Sequence, residues 1–324
     1  MKPKILVVGS FVMDMIVSTE KFPNSGETVL GKAFRTAPGG KGANQAVQAA
    51  RLGADVTMVG KVGNDEFGKS LIQSCVDAGI HTEHILIDPD TSSAIGNVML
   101  EVGKEKSVKN RIIVVPGANM TITPQDVVFL KGTIQQYDMV VLQLEIPMEI
   151  NELVAQYAFE QQVPVLLNSA PSAPLSKALL SHLTYLSPNE HEATDLTGIP
   201  IRKNGNEVNQ QDLKAVVDSL LSKGVKNVVI TLGNAGAMIA NKDEMIYHPC
   251  VDTVTVKDPT AAGDSFIGAF TTAICSGMNH RRALRFANYT AALTVSKEGA
   301  QPSLPCRNAV MDLMKQNAET EFEF

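Results

Sequence analysis

The sequence has 324 residues, which is enough for one large α/β domain or two ordinary ones. Its 28 basic and 34 acidic side chains give a net charge of −6, and it has no tryptophan, so composition argues against nucleic acid or an anionic membrane as the main partner. The four cysteines form no CxxC pair, which excludes the usual zinc and disulfide frameworks. No apolar run reaches the ~18 residues of a membrane span, so we expect a cytoplasmic protein.

Short apolar runs that predict strands alternate with longer amphipathic runs that predict helices. The apolar runs are continuous, as in strands that helices cover on both faces. This order is typical of βαβ units and a mostly parallel sheet. The predicted strands are residues 4–9, 56–62, 139–145, 163–169, 183–187 and 227–233, and the predicted helices are residues 40–53, 65–79, 123–136 and 210–224.

Two segments interrupt this alternation. Residues 13–37 and 93–115 show β-like alternation without an intervening helix. They predict short antiparallel strands outside the main sheet. We therefore expect a single domain over residues 1–324 with a small β-sheet inserted in it.

A glycine-rich stretch, APGGKGANQAV at 37–47, directly precedes a predicted helix. Gly40 and Gly42 flank Lys41, so bare backbone N–H groups could approach a polar ligand closely. The stretch is not a Walker A motif, and a tight strand-to-helix turn is the alternative. Asn44, one helical turn further on, adds a side chain that can hydrogen-bond a hydroxyl.

Two acids lie at the carboxyl ends of predicted strands, where parallel sheets bind their ligands. Asp14 follows the first strand, and an ordinary turn aspartate is the favoured alternative for it. Glu145 ends the strand at 139–145 on the same side as Gln143. A charge that ends a buried strand needs a partner, which favours a functional role for Glu145.

Two further strand ends carry polar or glycine-rich motifs. Asn189 and Glu192 follow the strand at 183–187 and are one helical turn apart, so Glu192 could hold a water bound to Mg²⁺ near phosphates. Helix capping by Asn189 is an equally good alternative. The stretch TLGNAG at 231–236 suits nucleotide phosphates or, alternatively, a simple hairpin.

The stretch DPTAAGD at 258–264 is the most specific motif in the chain. Ala261, Ala262 and Gly263 leave a helix N-terminus unobstructed, so its N–H groups can stabilise charge on a transferring phosphoryl group. Asp264 could accept the proton of an attacking hydroxyl. A helix cap alone would not require three small residues before the acid.

In this order and spacing, the motifs resemble those of the ribokinase, or PfkB, family of sugar kinases. The resemblance covers essentially the whole chain and rests on GGKGANQA (39–46), PNEHE (188–192), TLGNAG (231–236) and AAGD (261–264). It implies a ribokinase-like three-layer α/β fold, with a central mostly parallel sheet flanked by helices. It also implies that residues 13–37 and 93–115 form a β-sheet lid that pairs two subunits into a homodimer.

Within the family, the closest resemblance is to the ribose kinases. It implies phosphorylation of the 5-hydroxyl of D-ribose by ATP, giving D-ribose 5-phosphate and ADP, with Mg²⁺ at the phosphates and K⁺ as an activator. Carried over by position, Asp264 is the catalytic base and Ala261, Ala262 and Gly263 form the anion hole. The implied sugar contacts are Asp14, Gly40, Lys41, Gly42, Asn44, Glu145 and Asp264.

The resemblance also implies a nucleotide site and a monovalent-cation loop. The implied nucleotide positions are Asn189, Glu192, Thr231, Gly233, Gly236, Gly263 and Asn288. The implied cation-loop positions are Asp258, Thr260, Thr294, Lys297, Gly299 and Ser303. In that loop mainly backbone carbonyls bind the ion, so residue identity matters less there.

Two apolar residues depart from the common bacterial pattern. Val12 stands at a sugar-binding position where many bacterial members have asparagine, and Ile267 stands where asparagine is frequent. A lost hydrogen-bond partner weakens selection among sugar hydroxyls, so 2-deoxyribose, another sugar or a nucleoside stays an alternative substrate. A catalytically silent sugar-binding regulator is a further alternative, which the intact AAGD disfavours. A dinucleotide-binding dehydrogenase is weaker still, because the first strand–turn lacks GxGxxG.

Overall fold

A computed structural model describes residues 2–102 and 108–317 of the chain. This part of the chain contains fifteen strands and eleven α-helices. The strands are β1 (Lys4–Val8), β2 (Val12–Thr19), β3 (Gly31–Gly39), β4 (Asp55–Gly63), β5 (His81–Asp88), β6 (Ile95–Val102), β7 (Val108–Val115), β8 (Met139–Gln143), β9 (Val165–Asn168), β10 (Tyr185–Ser187), β11 (Lys203–Asn204), β12 (Glu207–Val208), β13 (Asn227–Thr231), β14 (Ala237–Ala240) and β15 (Met245–His248). The helices are α1 (Lys41–Arg51), α2 (Glu66–Asp77), α3 (Pro124–Val127), α4 (Leu130–Thr133), α5 (Met148–Glu160), α6 (Lys177–His182), α7 (Glu190–Thr197), α8 (Gln210–Ser222), α9 (Ala262–Cys275), α10 (His280–Val295) and α11 (Arg307–Gln316).

Nine strands form the main sheet, in the order β15-β14-β13-β10-β9-β8-β1-β4-β5. The seven strands from β13 to β5 are parallel, and β14 and β15 add an antiparallel hairpin at one edge. All six strands predicted from the sequence lie in the parallel part, within two residues of their predicted starts. The prediction missed β5, because the first four residues of this edge strand, 81–84, are polar and its apolar run is only three residues long.

Helices cover both faces of the main sheet. Successive residues of β1 illustrate this: Ile5 and Val7 pack into the core with α1, α2, α9, α10 and α11, whereas Leu6 and Val8 pack into the core with α3 to α8. Both cores are apolar, so the strand carries an uninterrupted apolar run. The predicted three-layer α/β architecture is therefore confirmed.

The predicted helix boundaries are confirmed in three of four cases. Each of these helices is followed by a glycine with a positive φ, at Gly53, Gly79 and Gly224. The single helix predicted at 123–136 is wrong: α3, α4 and a short 3₁₀ turn occupy this segment. Gly132 and several β-branched residues lie within it, and these have weak helix propensity.

A separate four-stranded sheet is formed by β3, β2, β6 and β7, in that order. It contains both interrupting segments predicted from the sequence, apart from residues 103–107, which lie outside the described residues. The prediction that all its strands are antiparallel is wrong, because β2 pairs with β6 in parallel. β2 follows β1, and β6 follows β5. Because β1 and β5 are parallel strands of the main sheet, β2 and β6 both leave that sheet from carboxyl ends that point in the same direction.

Candidate active site

A cavity of about 230 Å³ lies at the carboxyl ends of β9, β10 and β13. Parallel α/β sheets bind ligands at this edge. The cavity brings together residues from four of the sequence motifs, which are far apart in the chain. The lining residues are Lys41, Asn168, Ala170, Ser187, Asn189, Glu192, Thr231, Pro259, Ala261, Ala262, Gly263, Asp264 and Ile267.

Helix α9 begins beside this cavity without a side-chain cap. Its N-cap residue, Ala261, has a left-handed backbone (φ 59°, ψ 12°) and no capping side chain. Among the described residues, the backbone N–H groups of Gly263 and Asp264 have no hydrogen-bond partner. A Cβ at Gly263 would meet no atom within 4 Å. The first turn therefore presents unpaired N–H donors and the positive end of the helix dipole at the cavity wall.

Asp264 is the third residue of α9 and does not cap the helix start. Its Oδ2 accepts a 2.8 Å hydrogen bond from Asn44 Nδ2, and its Oδ1 accepts a 3.1 Å bond from Gln45 Nε2. The side chain is 8% exposed. Each carboxylate oxygen thus has one fixed amide donor and keeps further acceptor capacity for a hydroxyl group.

Asp14 lies on β2 against two glycines of the neighbouring strands. A Cβ at Gly39 would lie 2.9 Å from Asp14 Oδ2, and one at Gly96 would overlap Oδ1. Burial, together with the negative charges of Glu145 and Asp264, raises the pKa of Asp14 from 3.8 to about 6. Asp14 is therefore part of a concentrated group of carboxyls and not an ordinary turn aspartate.

Lys41 offsets part of this negative charge. Burial alone would lower the pKa of its ammonium group, but the carboxylates of Asp264, Glu145 and Glu192 outweigh that effect and raise it. A single cation thus lies in the field of three acids that the sequence analysis selected separately.

The glycines of the GGKGAN stretch allow α1 to pack against the turn after β1. A Cβ at Gly40 would lie 2.7 Å from the first backbone nitrogen of β2, and one at Gly42 would lie 2.5 Å from the backbone nitrogen of Ser10. The N–H groups of Lys41 and Gly42 donate to Glu145 Oε2 (3.0 Å) and Ser10 Oγ (3.2 Å). The expectation that these N–H groups are bare is therefore wrong, and the tight-turn alternative holds for them.

Asn189 caps α7, and Glu192 completes a capping box with it. Asn189 Oδ1 accepts the N–H of Glu192 at 2.9 Å, and Glu192 Oε2 accepts the N–H of Asn189 at 2.9 Å. Glu192 is 7% exposed, and burial raises the pKa of its carboxyl. Both side chains nevertheless line the cavity, so the capping and ligand-facing interpretations are compatible.

Of the remaining implied nucleotide positions, only Thr231 is among the described residues that line the cavity. Gly233 begins a 3₁₀ turn that ends before Gly236, and a Cβ at Gly236 would overlap the carbonyl of His248. Asn288 lies on α10 and is absent from the described residues that line the cavity. Its Nδ2 lies within hydrogen-bonding distance of the His248 and Pro249 carbonyls, which fixes the loop after β15.

The implied cation-loop residues join two segments of the chain. Asp258 Oδ1 accepts from Thr260 N (2.9 Å), and Oδ2 accepts from Gly299 N (2.8 Å). Burial opposes ionisation of Asp258, but these hydrogen bonds outweigh it and lower the pKa of the carboxyl. The hydroxyls of Thr294 and Ser303 donate to nearby backbone carbonyls, and the N–H of Lys297 donates to the Thr294 carbonyl. No cluster of three or more His, Cys, Asp or Glu side chains forms a metal site in the described part of the chain.

The sequence analysis missed several polar residues at the site, including Ser187, which ends β10 and lines the cavity. Ser10 follows β1 and donates to Glu145 Oε2 at 2.5 Å. Asn168 ends β9, lines the cavity and accepts from Gln45 Nε2 at 3.1 Å. The strand-end rule that selected Glu145 would also have selected Ser10 and Asn168. Gln45 gives no such signal, because its position in a helix reveals nothing about its partners.

A larger cavity, of about 350 Å³, lies between the loop after β9 and helices α6, α7 and α8. Its lining includes Ser172, Leu175, Asp195 and Lys223, and none of the residues selected from the sequence. Chemistry on a small polar substrate needs convergent polar groups, which the smaller cavity has. We therefore assign the candidate active site to the smaller one.

Residues 2–307 match the family model described as pfkB family carbohydrate kinase. The chain belongs to the pfkB family. It is 39% identical over 310 residues to the ribokinase of Bacillus subtilis, an alignment that covers 96% of this chain and 99% of that protein. It is 32% identical over 302 residues to a deoxyribokinase of Salmonella typhi, covering 93% of this chain and 95% of that protein.

The structure is also similar to that of a ribokinase of Arabidopsis thaliana in complex with ribose and ATP. The TM-score is 0.88 at 34% identity, and the match covers 97% of this chain and 99% of that chain. The predicted pfkB family membership and the prediction of a carbohydrate kinase are therefore confirmed. In this pfkB kinase, the four motifs that carried the resemblance meet around one edge of the main sheet.

Proposed function

We propose that the protein transfers the γ-phosphoryl group of ATP to the 5-hydroxyl of D-ribose, giving D-ribose 5-phosphate and ADP. The observation that supports this most directly is the position of Asp264. Its carboxylate lies at the cavity wall, next to unpaired N–H groups at the start of α9 and bonded to Asn44. A base beside an electrostatic stabiliser is the arrangement that phosphoryl transfer to an alcohol requires.

In this reaction the sugar hydroxyl oxygen forms a bond to the γ-phosphorus of ATP. The bond from that phosphorus to the ADP oxygen breaks, and Asp264 accepts the hydroxyl proton. Ala261, Ala262 and Gly263 would form the anion hole, in which the unpaired N–H groups of Gly263 and Asp264 stabilise the charge on the transferring group, whereas the N–H of Ala262 donates to the Pro259 carbonyl. The reaction is thus balanced with ATP, the sugar and one carboxylate.

The other site residues position the two substrates. The sugar contacts would be Asp14, Val12, Gly40, Lys41, Gly42, Asn44 and Glu145. The nucleotide would lie against Asn189, Glu192, Thr231, Gly233, Gly236, Gly263 and Asn288. Lys41 supports this division, because it lies in the field of three carboxylates and shares the cavity wall with the start of α9, so its charge can act on both the sugar and the phosphate regions.

Mg²⁺ and K⁺ would act from different places. Glu192, a buried carboxylate on the cavity wall, and its partner Asn189 would hold Mg²⁺ and its water; the ion would neutralise phosphate charge. K⁺ would activate from the loop formed by Asp258, Thr260, Thr294, Lys297, Gly299 and Ser303. Both oxygens of Asp258 are already hydrogen-bonded, so this residue would shape the loop while backbone carbonyls bind the ion.

The architecture supports a single catalytic domain over residues 1–324, with the sheet β3-β2-β6-β7 as its lid and dimer surface. Large apolar side chains are exposed on that sheet, including Phe34 at 61% and Ile113 at 58%. No helix in the described residues combines the length and apolarity that crossing a bilayer needs. The proposed use of ATP, together with the four free thiols, favours a cytoplasmic location.

A second candidate substrate is 2-deoxyribose. Val12 and Ile267 are apolar and buried, and Ile267 lines the cavity, so neither offers a hydrogen bond to a sugar hydroxyl. The similarity to a deoxyribokinase of Salmonella typhi favours 2-deoxyribose over other sugars as the alternative substrate. This alternative differs from the first proposal in substrate only, and the chemistry is unchanged.

An ADP-release assay over a panel of sugars and nucleosides, with ATP and Mg²⁺ and with or without K⁺, tests these proposals. We expect the highest kcat/KM with D-ribose. A higher value with 2-deoxyribose would select the second candidate. Absence of ADP release with every acceptor would overturn the kinase assignment and favour a silent sugar-binding protein.

A further inference from the structure

The carboxylate of Asp264 is part of a chain of buried amides that starts in the middle of the main sheet. Gln143, the last residue of β8, donates from Nε2 to Gln45 Oε1 at 2.7 Å. Gln45 in turn donates from Nε2 to Asp264 Oδ1 at 3.1 Å. Gln45 is 1% exposed and Gln143 is fully buried. Both amides are therefore shielded from bulk solvent.

The chemistry of the groups fixes the direction of every bond in this chain. An ionised carboxylate only accepts hydrogen bonds, so Gln45 must turn its NH₂ group toward Asp264. Its carbonyl oxygen then faces Gln143, which must donate. Asn168 Oδ1 accepts a second 3.1 Å bond from the same Gln45 nitrogen. The amide of Gln45 is thus held from both ends.

We propose that Gln45 is a positioning residue for Asp264, and that Gln143 orients Gln45 for this role. The inference rests on the proposed function, in which Asp264 accepts the proton of the sugar hydroxyl. Asn44 and Gln45 hold one carboxylate oxygen each, so together they fix the rotation of the carboxylate about its Cβ–Cγ bond. With Gln45 removed, the carboxylate can rotate away from the acceptor hydroxyl.

The hydrogen bonds of Gln45 separate this role from substrate binding. Its amide nitrogen already donates to Asp264 and to Asn168, so the side chain has no free donor for a sugar hydroxyl or a phosphate. Its loss should therefore lower kcat and leave the KM values for ATP and sugar nearly unchanged. Misplacement of a reacting group by about 1 Å can cost on the order of a hundredfold in rate.

The test replaces Gln45 by methionine, which has a similar length but no amide. We expect Gln45→Met to lower kcat by roughly ten- to a hundredfold and to change both KM values by less than about threefold. Gln48→Met is the matched control. Gln48 is also fully buried on α1, but its Nε2 donates to the Pro305 carbonyl, away from the cavity. Gln48→Met should lower the thermal stability by about as much as Gln45→Met does, and it should keep kcat within about twofold of wild type.

A double-mutant cycle tests the role of Gln143. Gln143→Met should lower kcat in the same direction as Gln45→Met, but by less. If Gln143 acts only through Gln45, then adding Gln143→Met to Gln45→Met leaves kcat unchanged. If Gln45→Met does not fold, Gln143→Met alone still tests the inference through its kcat and KM values.

The outcomes separate failure of this inference from failure of the proposed function. Equal kcat values for Gln45→Met and Gln48→Met, or additive losses in the cycle, would overturn the inference while sugar phosphorylation stands. Added to Asp264→Asn, Gln45→Met should have no further effect. If Asp264→Asn itself keeps near wild-type turnover, the base assignment is wrong and the positioning role is overturned with it.

Discussion

Asn44 and Asp264 are 220 positions apart in the chain, and a 2.8 Å hydrogen bond joins their side chains. The bond connects the first turn of α1 to the first turn of α9. The helices approach closely where Gly268 faces α1, because a Cβ at Gly268 would lie 2.8 Å from the carbonyl oxygen of Gln45. The geometry of the carboxylate therefore depends on how these two helices pack.

Replacement of Asp264 by asparagine should nearly abolish turnover. Asparagine keeps the shape but cannot accept a proton, so we expect kcat to fall by about a hundredfold or more. KM for ATP should change little. Steady-state kinetics of Asp264→Asn beside Asp77→Asn, an exposed control on α2, checks this. Turnover close to wild type in Asp264→Asn would show that another group accepts the proton.

The packing of α1 against α9 predicts opposite stability effects for two glycines of α9. Gly268→Ala should lower the free energy of unfolding by roughly 1–3 kcal/mol, because the new methyl group meets backbone atoms of α1. Gly263→Ala faces open space and should keep or raise stability by up to about 1 kcal/mol. Urea unfolding measures both. Equal destabilisation of the two variants would contradict the packing described here.

Asp14 should make the stability of the protein depend on pH. Its pKa is about 6 in the folded protein against an ordinary value of 3.8, so the folded state binds more protons between these values. The free energy of unfolding of the wild type should therefore fall, by roughly 2 kcal/mol, as the pH rises through this window. Asp14→Asn removes the titrating group, so the free energy of unfolding of this variant should not show the same fall. Relative to wild type, the variant should therefore become more stable as the pH rises.

The measurement is urea unfolding of wild type and Asp14→Asn at about pH 4 and about pH 7.5. The variant should be relatively more stable at the higher pH. A difference between the two proteins that does not change with pH would refute the raised pKa.

Val12 should control the preference between ribose and 2-deoxyribose. It is buried on β2, on the same face as Asp14, and offers no hydrogen bond. Val12→Asn should raise kcat/KM for ribose relative to 2-deoxyribose by about tenfold. Val12→Leu, which stays apolar, should leave the ratio unchanged. The same ratio in all three proteins would remove Val12 from sugar recognition.

Asp258 should control the response to K⁺. Its carboxylate ties Gly299 to the segment at 258–260, and asparagine would keep one neutral acceptor oxygen while turning an NH₂ donor toward the other backbone N–H. In Asp258→Asn we expect the K⁺ concentration for half-maximal activation to rise several-fold. Turnover against KCl, at constant ionic strength with choline chloride, measures this. An unchanged activation curve would place the cation elsewhere.

Local patterns in the sequence determined the three-layer architecture and the residues selected for the site. Continuous apolar runs mark strands covered on both faces, and AAGD marks an open helix N-terminus, because both signals depend on neighbouring residues only. The structure places these motifs around one cavity, as parallel sheets require. The sequence motifs therefore predicted that Asp264 and Lys41 would lie close to a ligand site, and both line the cavity.

Tertiary structure decided what these groups contact. Whether the N–H groups of Lys41 and Gly42 are bare, and whether β2 pairs with β6 in parallel, depends on segments distant in sequence. The raised pKa of Asp14 likewise needs burial and two acids from other elements. Gln45 shows most clearly what the sequence does not predict, because a glutamine in a helix carries no local signal for its hydrogen-bond partner. Only the packing of α1 against β8 and α9 brings the Gln45 amide between Gln143 and Asp264.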